Sequence, residues 1–211
     1  LALITALKQI CNRDTLSGES CKLDYLIDKM ETISEQQDKA LVFSQFPEKT
    51  LSAIRDDRRL AAYRPLLYTG SLSDSERARV LARFHDDPDQ RVLLISTRAG
   101  GVGLNLTEAN YVFHFDLWWN PATAAQAEDR SHRIGQRKHV FVESLLTRDT
   151  IEERIQSLLA RKGLLFKQVI DDLSDTTVRD ALSEEDLFGL FGLKPGRSRH
   201  TSTSAPTSGG V

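Results

Sequence analysis

The chain holds 211 residues, 40% hydrophobic and 27% charged, which suits one soluble globular domain with appendages. Its formal charge of −2 does not by itself suggest nucleic acid, but the distribution is uneven: residues 171–186 carry seven acids against Arg179, a net of −6, so the remainder sums to +4. That leaves room for basic residues placed in a cleft and excludes a globally basic surface. No signal peptide and no apolar run long enough to span a membrane is present, so no membrane partner is expected. A start at Leu1 suggests a piece of a longer protein. Cys11 and Cys21 read as ordinary reduced thiols of a cytosolic protein, although a disulfide between them would be sterically possible. The five histidines are scattered without paired-ligand spacing, so no metal site is expected.

Residues 1–12, LALITALKQICN, read as an amphipathic helix with Leu3, Leu7 and Ile10 on one stripe, and Ser17 and Gly18 break it. Helical periodicity resumes over 22–36 through Leu23, Leu26, Ile27, Met30 and Ile33. Five strand-length apolar runs follow, at 40–46, 65–69, 91–96, 111–115 and 139–146, each rich in β-branched or aromatic residues. Helical stretches lie between them. The first, 73–86, opens on the capping-box pattern Ser73-x-x-Glu76. The second, 121–134, has Asn120 as its cap and Pro121 at its first position. The third, 150–170, opens on Thr150-x-x-Glu153 and carries Ile151, Ile155, Leu158 and Leu159 on one face. This alternation predicts an α/β fold whose mostly parallel sheet is covered by helices on both faces, with extra helices at both ends. Continuously apolar strands fit burial on both sides. The sequence DLFGLFGL offers Leu187, Phe188, Leu190, Phe191 and Leu193 for docking on the domain or on a partner. From Lys194 onward, twelve of eighteen residues are Gly, Pro, Ser or Thr, which predicts a disordered tail.

The densest chemistry falls in 96–136, STRAGGVGLNLTEANYVFHFDLWWNPATAAQAEDRSHRIGQ. Ser96 and Thr97 close a buried strand and are followed by Arg98, Gly100, Gly101 and Gly103. Hydroxyls, a cation and glycine-exposed backbone at a strand's carboxyl end make a phosphate-contact loop, or simply a Gly-rich turn. Gln126, Arg130 and Arg133 stand at i, i+4 and i+7, so one helix face presents an amide and two guanidiniums. Their mutual repulsion calls for an anion, and a γ-phosphate suits the arginine fork. Salt bridges to Glu128 and Asp129 would account for both arginines equally well.

STRAGGVGLNLTEAN and WWNPATAAQAEDRSHRIGQ resemble motifs V and VI of the Swi/Snf family, within helicase superfamily two. LKQICN at 7–12, CKLDYL at 21–26, KALVFSQF at 39–46 (motif IV), TGSLS at 69–73 and TIEERI at 150–155 resemble further family segments in the right order, so the likeness covers about residues 5–170. It implies a RecA-like second motor lobe over 39–170, a helical linker over 1–38, an acidic segment with an apolar docking stretch over 171–193 and the tail over 194–211. The resemblance further implies that Arg130 and Arg133 are arginine fingers, with Gln126 beside them, and that Gly103 and Asn105 lie near the ribose and the interlobe cleft. By the same resemblance Gly70, Ser71, Ser96, Thr97 and Arg98 touch the DNA backbone, and Trp118 or Trp119 belongs to a loop reaching DNA; either tryptophan could equally pack in the core or between lobes. Three departures stand out. Arg98 replaces a common lysine, GESCKL replaces a shorter serine-glycine-lysine-leucine run, and Pro47 follows SQF, where it could begin a helix.

The sequence has neither GxxxxGK[ST] nor an Asp-Glu pair after an apolar strand, so ATP and Mg²⁺ would be held mainly by a first lobe. The expectation is half of a double-stranded-DNA translocase or remodelling ATPase, inactive alone, whose partners are DNA and its N-terminal RecA-like lobe. It would be cytoplasmic and nucleoid-associated in a prokaryote, or nuclear in a eukaryote. An RNA helicase lobe and a non-catalytic DNA- or protein-binding adaptor are the alternatives.

Overall fold

A computed structural model describes residues 2–100, 104, 106–117, 138–166 and 183–192. Strands β1 (Ala40–Ser44), β2 (Leu66–Tyr68), β3 (Val92–Ser96), β4 (Tyr111–His114) and β5 (Phe141–Ser144) form one sheet in the order β2-β3-β1-β4-β5. Every pairing is parallel, with Ala40 opposite both Val92 and Tyr111. The helices are α1 (Ala2–Asn12), α2 (Cys21–Glu35), α3 (Ser52–Arg55), α4 (Asp74–Asp86), α5 (Thr97–Gly100), α6 (Ile151–Phe166) and α7 (Glu184–Gly189). Pro47 does begin a helix, a π-helical turn over Pro47–Leu51 that runs into α3.

Strand periodicity divides the core. Ala40, Val42, Val92, Leu94 and Phe113 point to one face, where Leu23, Leu26, Met30 and Ile33 of α2 cover them with Leu51, Ile54 and Leu60. Leu41, Phe43, Leu93, Ile95 and Val112 point to the other, under Phe84, Val80 and Leu81 of α4 and Ala99 of α5. Both faces of the three central strands are thus buried, as continuously apolar parallel strands require. This is the expected RecA-like α/β fold, with helices on both faces.

Some local expectations change. The buried side of α1 is Ile4, Lys8 and Asn12, whereas Leu3 is 59% and Ile10 44% exposed. The reason is that Lys8 and Asn12 find hydrogen-bond partners inside the lobe, so the helix turns its polar residues inward. The run at 139–146 is not buried on both faces either: β5 is an edge strand, with Phe141 49% and Val142 36% exposed. Phe141 instead stacks on Tyr111, ring centroids 4.9 Å apart. The capping box of α4 forms as read, Ser73 and Glu76 each satisfying the other's backbone N–H. That of α6 does not: Thr150 Oγ1 accepts from Glu152 N at 3.2 Å, and Glu153 accepts from Asp149 N at 3.0 Å rather than from its cap residue.

A third cluster joins Ile4 of α1 to Ile151, Ile155 and Leu158 of α6 and to Leu190 just beyond α7. Arg154 Nη1 donates to the Leu190 carbonyl at 3.0 Å, and Phe191 packs against the same cluster, so these two residues of the apolar stretch dock on the domain. The expected helix over 121–134, the acidic residues 171–182 and the tail 194–211 lie outside the described residues.

Candidate functional site

All five strands run the same way, so their carboxyl ends and the loops leaving them share one edge of the sheet. The chain leaves β1 toward the β2 edge and leaves β4 toward the β5 edge, which puts the switch point between the ends of β1 and β4. Ligands of open α/β sheets gather at such points.

On the β2–β3 side, Thr69 and Ser71 share a hydroxyl hydrogen bond of 2.7 Å, and Arg77 of α4 reaches back to donate to the Gly70 carbonyl at 2.9 Å. Gly70 and Ser71 are exposed, and nothing lies within 4 Å of where a Gly70 side chain would stand. Next to this loop, Arg98 is exposed on α5, and Thr97 is half-buried with no hydrogen-bond partner for its Oγ1 among the described residues. Ser96 is only 4% exposed, in register with Ser44. The edge therefore presents the Ser71 hydroxyl, the Arg98 guanidinium and open backbone at Gly70, a donor set suited to phosphate oxygens, while Ser96 and the Thr97 hydroxyl are buried behind it.

At the switch point the structure is filled by its own polar side chains. Asp116 is fully buried and accepts from the Ser44 hydroxyl, from Gln45 N at 3.1 Å and from Asn12 Nδ2 at 3.3 Å. Burial pushes its carboxyl pKa up, against the Lys8 ammonium and the hydrogen bonds that pull it down. Lys8, 2% exposed, donates to the Leu117 carbonyl at 2.6 Å, and Gln45 Nε2 donates to the same oxygen at 3.0 Å. Asn12 also donates to Thr50 Oγ1 at 3.1 Å. Lys22 donates to Asn12 Oδ1 at 3.1 Å, to the Phe115 carbonyl at 3.0 Å and to Glu152 at 2.7 Å. The bond between Asn12 and Asp116 thus links the Lys22–Glu152 pair to the end of β4.

Residues 21–135 match the helicase conserved C-terminal domain family. The chain is 36% identical over 200 residues to YwqA of Bacillus subtilis (strain 168), covering 90% of this chain and 22% of that protein. Among solved structures it resembles the Sulfolobus solfataricus SWI2/SNF2 ATPase C-terminal domain, with a TM-score of 0.68 and 31% identity over 90% of this chain and 79% of that one. The chain belongs to the Swi/Snf helicases, as their C-terminal lobe. It also superposes on the Sulfolobus solfataricus SWI2/SNF2 ATPase core in complex with dsDNA, with a TM-score of 0.71 and 34% identity over 90% of this chain and 41% of that one.

Within the Swi/Snf lobe, Gly70, Ser71 and Arg98 are exposed at the carboxyl edge of the sheet, whereas Ser96 is buried where β3 ends beside β1 and the Thr97 hydroxyl is buried next to it. Gly103, Asn105, Trp118, Trp119, Gln126, Arg130 and Arg133 lie outside the described residues. Sequence reasoning missed Lys8, Asn12, Lys22, Asp116 and Glu152. One signal was available: Ile4, Lys8 and Asn12 share a helical stripe, so charge stands where the hydrophobic period calls for apolar residues. Asp116, directly after the buried run YVFHF, is a second. Among the described residues, no group of three or more acids, histidines or cysteines could hold a metal ion.

Proposed function

We propose that this lobe is the second half of an ATP-driven translocase that moves along double-stranded DNA and remodels protein–DNA complexes. The observation that carries the reading is the exposed edge of Gly70, Ser71 and Arg98, in a fold that superposes on a SWI2/SNF2 core complexed with dsDNA. Hydroxyls and a guanidinium grip phosphates without reading bases, which suits a motor indifferent to sequence. Arg130 and Arg133 act as arginine fingers on the γ-phosphate with Gln126 beside them, and Gly103 and Asn105 line the cleft. ATP would supply the phosphoryl group, with Mg²⁺ held mainly by the first lobe and supplying charge neutralisation at the phosphates. The acidic ligands and the phosphate loop belong to a first lobe, so the 211-residue chain alone does not turn over ATP. Trp118 or Trp119 adds a contact to DNA.

Steady-state ATP hydrolysis by the two-lobed parent, with and without double-stranded DNA, tests this. DNA should stimulate the parent, and Arg133→Ala should lower the stimulated rate by about 10³-fold or more, roughly 4 kcal/mol of barrier. Normal turnover in Arg133→Ala would remove the finger assignment. A parent indifferent to DNA would remove the motor.

A further inference from the structure

We infer that Lys8, Asn12 and Asp116 are positioning residues that fix where the finger-bearing segment leaves the sheet, by tying it to helix α1. The inference rests on the reading that Arg130 and Arg133 act on ATP, and it extends that reading to residues with no contact to nucleotide.

The case starts from cost. A helix that only had to cover the sheet would bury apolar side chains, because a buried ammonium and carboxylate gain no stability over a well-packed hydrophobic pair. Helix α1 instead buries Lys8 and Asn12 and exposes Leu3 and Ile10. What such polar groups add is direction, since each donor must meet its acceptor at one distance and angle. Here the direction converges on two residues. Asp116 is held from β1 by Ser44 and Gln45 and from α1 by Asn12. The Leu117 carbonyl takes two donors, Lys8 Nζ at 2.6 Å from α1 and Gln45 Nε2 at 3.0 Å from the end of β1. Trp118 follows directly, and residues 118–137 include Gln126, Arg130 and Arg133.

The base of that segment is therefore referenced to two bodies at once, the sheet through β1 and the linker helix through α1. A displacement of α1 pulls on the Leu117 carbonyl and on Asp116 together. In a two-lobed motor the linker connects the lobes, so this arrangement makes the placement of the fingers depend on how the linker is seated. The Lys22–Glu152 pair steadies Asn12 from the opposite side, through Asn12 Oδ1 at 3.1 Å.

Hydrogen–deuterium exchange on the 211-residue chain reads the idea without reference to activity. Lys8→Met should accelerate exchange within 118–137 severalfold while β1 and β3 keep their protection. If Lys8→Met does not fold, the Lys8→Met/Asp116→Asn pair removes both buried charges and should give the same local signature, because the Leu117 carbonyl still lacks its tie to α1 and keeps only the one to Gln45. Unchanged exchange in 118–137, or equal acceleration across the sheet, overturns the inference. In the two-lobed parent, the same variants should lower kcat for DNA-stimulated ATP hydrolysis by on the order of 10²-fold with KM for ATP unchanged, as a misplaced group does. A folded variant with full kcat also overturns it. A wild-type parent without hydrolysis would instead sink the motor reading, leaving the exchange result to decide whether the segment is positioned from α1.

Discussion

His114 ends β4 with its ring against Phe43, centroids 5.8 Å apart, and is 3% exposed. Burial disfavours the imidazolium and holds its pKa down, at about 4 against an ordinary 6.5. The unfolded chain therefore accepts a proton that the folded chain refuses, and stability falls as pH drops from about 6.5 toward 4. Asp116, two residues on, works the other way. Its raised pKa means the folded chain binds a proton before the unfolded chain does, so acidification favours folding at that site. The two groups oppose each other, and a variant lacking His114 separates them. His114→Phe keeps a ring on Phe43 and removes the titration. Urea unfolding of both proteins at pH 7 and pH 4.5 should show the loss on acidification shrinking by about 2.5 kcal/mol in the variant. An identical pH dependence in the two proteins would mean that His114 is protonated in the native state as readily as in the unfolded one.

At the scale of elements, a cap is worth most where nothing else ties down the helix end. Helix α4 starts at the exposed loop after β2, where among the described residues its own box caps it: Ser73 N donates to Glu76 at 2.8 Å and Glu76 N donates back to Ser73 at 3.4 Å. Its other end is fixed by buried Lys39, which donates to the Phe84 carbonyl and to the Asp87 carbonyl at 2.9 Å. Ser73→Ala should therefore lower stability by about 1 kcal/mol in chemical denaturation, and no change would mean that the loop recaps itself. This box was legible in the sequence because both partners lie within four residues of each other. The equivalent pattern at Thr150 failed for a long-range reason: Glu152 is drawn to Lys22 and to Thr147 N at 2.9 Å, and the start of α6 follows that demand. The stripe on α1 failed likewise, since the partner of Lys8 is the carbonyl of Leu117, 109 residues away. For β5, local composition gives no warning that a strand stands at an edge. The placement of Gly70, Ser71 and Arg98 at strand ends was legible from the strand pattern, whereas the burial of Ser96 and the ties beneath Leu117 are long-range contacts that periodicity does not encode.

For the molecule as a whole, the question is what joins helix α2 to helix α6. Lys22 of α2 and Glu152 of α6 meet at 2.7 Å across 130 residues, with side chains 2% and 0% exposed. Beside them the satellite cluster of α1, α6 and Leu190 adds apolar contact. Glu152 is satisfied twice, by Lys22 on one oxygen and by Thr147 N on the other. Removing it leaves a buried ammonium with only neutral oxygens, Asn12 Oδ1 and the Phe115 carbonyl. Glu152→Ala should thus destabilise the chain by about 3–5 kcal/mol, the range for breaking one side of a buried pair. Lys22→Met/Glu152→Leu removes both charges and keeps the volume, so it should recover much of that loss. It should not recover all of it, because Thr147 N is left without its acceptor, a deficit of about 1–3 kcal/mol. Chemical denaturation of the single and double variants decides the matter. If Glu152→Ala costs less than about 1 kcal/mol, as exposed pairs do, water reaches Lys22 and α6 is held by the satellite cluster rather than by the buried pair. If the double variant is no more stable than the single, the directional bonds to Asn12 and Phe115, rather than charge neutralisation, are what Lys22 contributes.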